Sequence, residues 1–169
     1  VAYQTAYLKA NYPVEFMAAL LTSEMADSDK IVKYIEECRA MGIEVLPPDV
    51  TESSNDFAVV GDKIRFGLVA VKNVGEAAIH SILTARRQQG RFRDLFDFCE
   101  RVDLRLVNKR VIESLIKCGA FDSLGARRAQ LMAIVDKAMD AASAAQRDRA
   151  QGQVSLLDVL SSAGAVPRR

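Results

Sequence analysis

Apolar residues recur at helical spacing through residues 1–41: Phe16, Leu20 and Leu21 share one face, and Ile31, Ile35 and Cys38 share another. Pro13 suits the first turn of a helix, Asp27-Ser28-Asp29 offers an N-cap, and Gly42 fits the left-handed residue that closes a helix. At Ile43 the period changes. Ile43-Glu44-Val45-Leu46 reads as a short extended piece stopped by Pro47-Pro48. Phe57–Val60 and Lys63–Phe66 flank Gly61-Asp62, the signal of a β-hairpin with a two-residue turn. A lone ribbon is marginal in water, so it is expected to pack on neighbouring helices.

The helical period returns after Gly67. Leu68, Val69 and Val71 precede a sharp turn at Asn73-Val74-Gly75, and Ala77, Ala78, Ile79, Ile82 and Leu83 follow it. Gly75 is read as the residue that takes backbone angles a β-carbon forbids and lets another backbone come close, with Glu76 in the first turn of the outgoing helix. A turn that opens a helix leaves backbone N–H groups pointing outward, which suits a phosphate oxygen and reads no base. Lys72-Asn73-Val74-Gly75-Glu76-Ala77-Ala78 resembles the helix-hairpin-helix motif; an ordinary corner packed into a core is the alternative.

Asp94–Cys99 reads as a short amphipathic helix whose Leu95, Phe96 and Phe98 belong to a core. Asn108 can cap the next helix, with Val111, Leu115 and Ile116 inward. It ends near Gly119, and a further helix starts near Arg127, giving a second, less regular copy of the motif. Arg127 and Arg128 oppose the dipole of that helix, a conflict a phosphate would relieve; a solvated basic turn explains them equally well. From Ala141 to Gly152 the apolar stripe thins, and Gln153-Val154-Ser155-Leu156-Leu157 is an apolar island in a polar tail. It suits either a peptide anchored in another protein's pocket or a short helix folding back.

The net charge of +1 conceals an asymmetry. Residues 1–62 carry 4 Lys+Arg against 11 Asp+Glu (−7), and residues 63–128 carry 14 against 7 (+7). The basic stretch contains the hairpin, as counterion release from a nucleic-acid backbone favours. Cys38, Cys99 and Cys118 are far apart and form no CxxC, which points to core thiols in a reducing compartment. No apolar run approaches a membrane span, and no signal-peptide pattern is seen. The chain does not start with Met, so a piece of something longer is expected.

Ala2–Pro13, Glu15–Leu21, Ile43–Asp49, Ile64–Leu68, Val71–Gly75 and Ser114–Asp122, in that order and spacing, resemble the C-terminal part of the bacterial replicative DNA polymerase III α-subunit family. The resemblance implies three parts. Residues 1–50 would be the helical end of the fingers domain. Residues 51–140 would hold the β-hairpin and a tandem helix-hairpin-helix region on duplex DNA. Residues 141–169 would be a tether carrying the sliding-clamp peptide, with Gln153 and Leu156 matching the family pattern and Leu157 in place of the usual Phe. The expected fold is mainly α with a small β-hairpin. The expected DNA contacts are Lys72, the Asn73, Val74, Gly75 and Glu76 backbone, Gly119, Arg127 and Arg128. Partners would be duplex DNA, the clamp (the β subunit) and the rest of the polymerase holoenzyme in the cytoplasm. The family's metal-dependent palm lies upstream, so the fragment should need no cofactor and do no chemistry, while the whole polymerase would use Mg2+. The competing readings are a structural scaffold, with the basic stretch bound to the acidic one, and a helix-hairpin-helix DNA-repair enzyme.

Overall fold

The computed structural model describes residues 1–163, with side chains described as far as residue 152. Three helices open the chain: α1 (Ala2–Asn11), α2 (Pro13–Ser23) and α3 (Ser28–Ala40). Tyr12 separates the first two, and Pro13 starts α2 where its missing N–H forfeits no helical bond. The Asp27 carboxylate caps α3 by accepting from the Asp29 and Lys30 amides at 3.1 and 3.2 Å. Gly42, at φ 74°, closes α3, with its own N–H on the Arg39 carbonyl and that of Ile43 on the Cys38 carbonyl.

The sheet has three strands, β1 (Val45–Leu46), β2 (Ala58–Val60) and β3 (Lys63–Arg65), in the order β1-β3-β2. β2 and β3 form the expected hairpin, with Val60 opposite Lys63. β1 adds a parallel edge, Val45 opposite Ile64, and supplies the support a two-stranded ribbon lacks. The second half of the described chain is helical: α4 (Glu76–Gln89), α5 (Leu95–Arg101), α6 (Lys109–Lys117) and α7 (Arg128–Ala163). A mainly α architecture with a small sheet is therefore what forms. No helix among the described residues is long and apolar enough to cross a membrane.

Two apolar cores lie side by side. Met17, Leu21, Ile31, Cys38 and Ile43 form the first, and the β-ribbon contributes Phe57 and Ile64 to it. The ribbon thus packs on the opening helices, across the boundary near residue 50 that the sequence suggests. The second core takes Leu68, Ile79 and Ile82 from the first hairpin and α4, Phe98 from α5, Ile112 and Leu115 from α6, and Leu131 and Val135 from α7. The half-buried Phe66 packs against both.

The loop after β1 ties the two together. Val50 is fully buried in the second core, and its N–H donates to the Ala120 carbonyl at 2.9 Å. Arg86 donates to the Val50 carbonyl at 3.2 Å. The buried Ser53 hydroxyl bridges the Asp49 amide and the Phe66 carbonyl. Gly67 lies so close to this loop that a β-carbon would sit 2.5 Å from the Asp56 carbonyl carbon.

Candidate nucleic-acid interface

The first hairpin is held from below and open above. Leu68–Ala70 makes one 3-10 turn, and Val71 and Val74 are buried. Lys72, Asn73, Gly75, Glu76 and Ala77 are exposed. Val74 is therefore the anchor of the turn, with its N–H on the Val71 carbonyl. The sharp conformation belongs to Asn73, at φ 67°, and not to Gly75, which is extended at φ −85° and ψ 162°. Asn tolerates the left-handed region better than other residues with a β-carbon. Here its side-chain amide also donates to the Ser114 hydroxyl at 3.1 Å, fixing the turn against α6.

No other backbone of the described chain comes close to Gly75 either. It is the N-cap of α4, supplies no side-chain acceptor, and has open space where a β-carbon would be. α3, α5 and α6 are each capped by a side chain, Asp27, Asp94 and Asn108. The α4 N-terminus is left with unfilled amides facing solvent, beside Lys72. Glu76 in that first turn suits the dipole when no anion is present.

The second hairpin is built differently. α6 closes on Gly119 at φ 86°, with the Gly119 N–H on the Ile116 carbonyl and the Ala120 N–H on the Leu115 carbonyl. Ala120 and Phe121 are buried, a 3-10 turn covers Asp122–Leu124, and α7 follows. Gly119 is buried beneath the Arg128 guanidinium, which a β-carbon would meet at 2.5 Å. Its N–H is thus taken up inside the turn rather than offered outward. Arg128 makes a forked contact to the Asp122 carboxylate and donates to the Lys117 carbonyl. Hydrogen bonding from Arg128 holds the Asp122 carboxyl below its usual range. Arg127 is exposed, and its N–H donates to the Gln130 side chain, which reaches back from the first turn of α7.

Ion pairing sorts the cations of the basic stretch. Lys63 pairs with Glu44, and Arg65 and Arg91 with Glu52. Arg93 and Arg101 pair with Asp97, Arg105 with Asp103, Lys109 with Asp136, and Arg128 with Asp122. Of the cations in this stretch, Lys72, Arg87, Arg110, Lys117 and Arg127 are exposed and have no carboxylate partner among the described residues. All but Arg87, near the end of α4, lie on the first hairpin, α6 and the second hairpin.

A cleft of about 530 Å³ separates the first hairpin from α6. Phe66, Ala70 and Val71 give it an apolar lining, Lys72 and Lys117 line it from two different elements, and Cys118 is part of the lining. Sequence reasoning missed Ser114 and Lys117. Their signal was present, since Arg110, Ser114 and Lys117 recur at helical spacing on the side of α6 away from Val111 and Leu115.

Beyond the hairpins, α7 is bound to α5. Leu131, Val135, Ala138 and Ala142 bury one stripe, and the Gln146 amide donates to the Cys99, Glu100 and Val102 carbonyls at the end of α5. Arg149 pairs with Glu100. The candidate clamp peptide, Gln153, Val154, Ser155, Leu156 and Leu157, follows in the helical backbone of α7; its side chains lie outside the described residues. All three cysteines are free, and burial pushes the Cys99 thiol up to about 12. Among the described residues, no three His, Cys, Asp or Glu side chains are grouped to hold a metal ion.

The family described as a helix-hairpin-helix motif matches residues 42–131, from the end of α3 to the first turn of α7. Curated relatives match nearly the whole chain. The DNA polymerase III subunit alpha of Deinococcus radiodurans is 49% identical over 158 residues, covering 93% of this chain and 12% of the relative. That of Saccharopolyspora erythraea is 53% identical over 156 residues, covering 92% and 13%. That of Vibrio cholerae is 49% identical over 164 residues, covering 96% and 14%. The chain thus spans 12–14% of the length of these relatives.

Proposed function

The chain belongs to the helix-hairpin-helix motif family, and on that footing we propose that it binds duplex DNA through phosphates, without reading sequence, as one segment of a bacterial replicative DNA polymerase. The observation that carries this is the first hairpin. It combines an α4 N-terminus without a side-chain cap, an N-cap glycine with open space before it, and an unpaired Lys72. Backbone amides and a lysine bind phosphate oxygens and fix a duplex without contacting base edges. Arg127 extends the contact to the second hairpin. Arg128 and Gly119 contribute by holding that hairpin's shape.

The same proposal assigns Gln153 to Leu157 to the sliding clamp. Engaging DNA and clamp together would raise the effective concentration of each for the other, which favours long synthesis. Leu157→Phe should tighten clamp binding and Leu156→Ala should abolish it, as read by titration with the clamp. Nucleotide transfer, and the Mg2+ it would need, belong in this proposal to other parts of a cytoplasmic polymerase. Many of this chain's acids serve as caps and ion-pair partners, and no step of the reaction is assigned to any of them.

The scaffold alternative has a structural measure. Ion pairs joining residues 1–62 to the basic stretch use Lys63, Arg65 and Arg91, and leave the hairpin cations free. A repair enzyme would need a nucleophilic Lys or a catalytic Asp just past the hairpin, where Ile79-His80-Ser81-Ile82 stands.

Duplex DNA binding measured against salt tests the proposal. Log affinity should fall with log salt at about 0.9 per phosphate contacted. A Lys72→Glu, Gly75→Asp variant should bind more weakly and with a shallower slope. Equal binding by both proteins would remove the first hairpin from the interface, and no binding by either at low salt would favour the scaffold.

A further inference from the structure

We propose that the cleft between the first hairpin and α6 seats one sugar-phosphate unit of a DNA strand, with Lys72 and Lys117 closing on the phosphate from opposite sides. This rests on the DNA-binding reading and goes beyond it, because it makes α6 itself part of the contact surface. Three observations converge on the cleft.

The first is charge. Lys72 and Lys117 flank the same space, and neither has a carboxylate partner among the described residues. No acidic side chain lines the cleft. On another face of α6, Lys109 lies 2.7 Å from the Asp136 carboxylate, so the fold satisfies one α6 lysine and leaves the other open. Two like charges facing one cavity repel, and an anion between them turns that repulsion into two attractions.

The second is the apolar lining. Phe66, Ala70 and Val71 line the same cleft as the lysines. A hydrated inorganic ion gains nothing from this lining, whereas a deoxyribose ring can lie against it while its phosphate meets the ammonium groups. The third is the latch. The Asn73–Ser114 hydrogen bond ties the strained turn to α6, so the two lysines come from elements locked together before any ligand arrives. Ligand binding then needs little reordering of the backbone.

Cys118 makes the test local. It lines the cleft and is partly exposed, whereas Cys38 and Cys99 are buried. The full chain is treated with a maleimide at mildly alkaline pH, with and without a short duplex, and the labelled cysteine is identified by mass spectrometry. Duplex DNA at low salt should slow Cys118 labelling by about tenfold, and protection should vanish as salt displaces the DNA. Lys117→Gln should weaken DNA binding, lower the salt slope by about 1, and reduce the protection. Lys33→Gln, the same charge change on the exposed face of α3, should leave protection intact. Thermal unfolding of Lys117→Gln should match the unaltered chain, because the side chain is exposed and pairs with no carboxylate among the described residues.

Tight DNA binding with unchanged Cys118 labelling would overturn this inference and leave the DNA-binding reading standing. Absence of DNA binding would overturn both. Equal protection by polyglutamate at the same charge concentration would replace DNA with an acidic protein segment as the occupant.

Discussion

Arg101 is the side chain whose removal the structure prices most clearly. Its side chain is only 4% exposed, and the guanidinium lies 4.4 Å from the centre of the Phe92 ring. It donates to the carbonyls of Ala85, Gly90 and Arg91 and to the Asp97 carboxylate. One residue thereby closes the end of α4, the loop after it and α5. Arg101→Met keeps the length and the apolar contact with Phe92 but leaves those acceptors without their donor. Breaking a buried pair of this kind costs about 3–5 kcal/mol. With a urea m-value of about 2 kcal/mol/M, the unfolding midpoint should fall by about 1.5–2.5 M.

The same reasoning fixes a pH dependence. Burial alone would raise the Asp97 carboxyl above its ordinary value of 3.8, and the bonds from the Arg93 amide and from Arg101 overcome this and hold it lower. A carboxyl depressed on folding contributes stability that is complete above its unfolded value and is lost as pH falls through the lower, folded one. The unaltered chain should therefore lose stability below about pH 4 in part through Asp97, and Arg101→Met should lose less over that range. Urea titrations at pH 7 and below pH 4 measure both effects. A midpoint shift under about 0.5 M at pH 7, equivalent to about 1 kcal/mol, would mean that water satisfies the carbonyls and that Arg101 is not the tie described.

Other expected outcomes concern the hairpins and the junction. Gly67→Ala forces backbone against the Asp56 carbonyl carbon and should destabilise by about 1–3 kcal/mol, read as a lower thermal midpoint. Arg128→Ala opens an ion pair that is about half exposed; it should change stability little and leave the slope of DNA affinity on salt unchanged, since the guanidinium is already engaged. A slope lowered by about 1 would instead make Arg128 a direct phosphate contact. Asn73→Val places a β-branched residue at φ 67° and removes the Ser114 bond, and should lower both stability and DNA affinity. Asn73→Gly, which removes only the bond, should be the milder change in both assays.

Much of the chain was legible without coordinates because its signals are local. Asp27, Asn108 and Gly42 cap helices where their chemistry says they should, and Gly61-Asp62 turns the ribbon. Helical and strand periods placed nearly every element, since each depends on residues a few positions apart. The sequence also marked both hairpins and the basic stretch around them. What it could not do was assign conformations inside the first turn. Gly75 has the freedom, yet Asn73 takes the left-handed angle, because Ser114, 41 positions away, holds its side chain.

The same limit governs charge. A count of residues 63–128 shows an excess of seven cations without saying which of them face solvent alone. Folding decides that by bringing Asp122 under Arg128, Asp136 beside Lys109 and Glu52 between Arg65 and Arg91, while Lys72 and Lys117 meet across an open cleft. Composition and spacing thus determined the elements, the motif and the sign of the surface. Tertiary structure completed the choice of which charges remain available to a ligand, because pairs such as Arg91–Glu52 and Lys109–Asp136, and the meeting of Lys72 with Lys117, depend on distance in space between residues the chain keeps far apart.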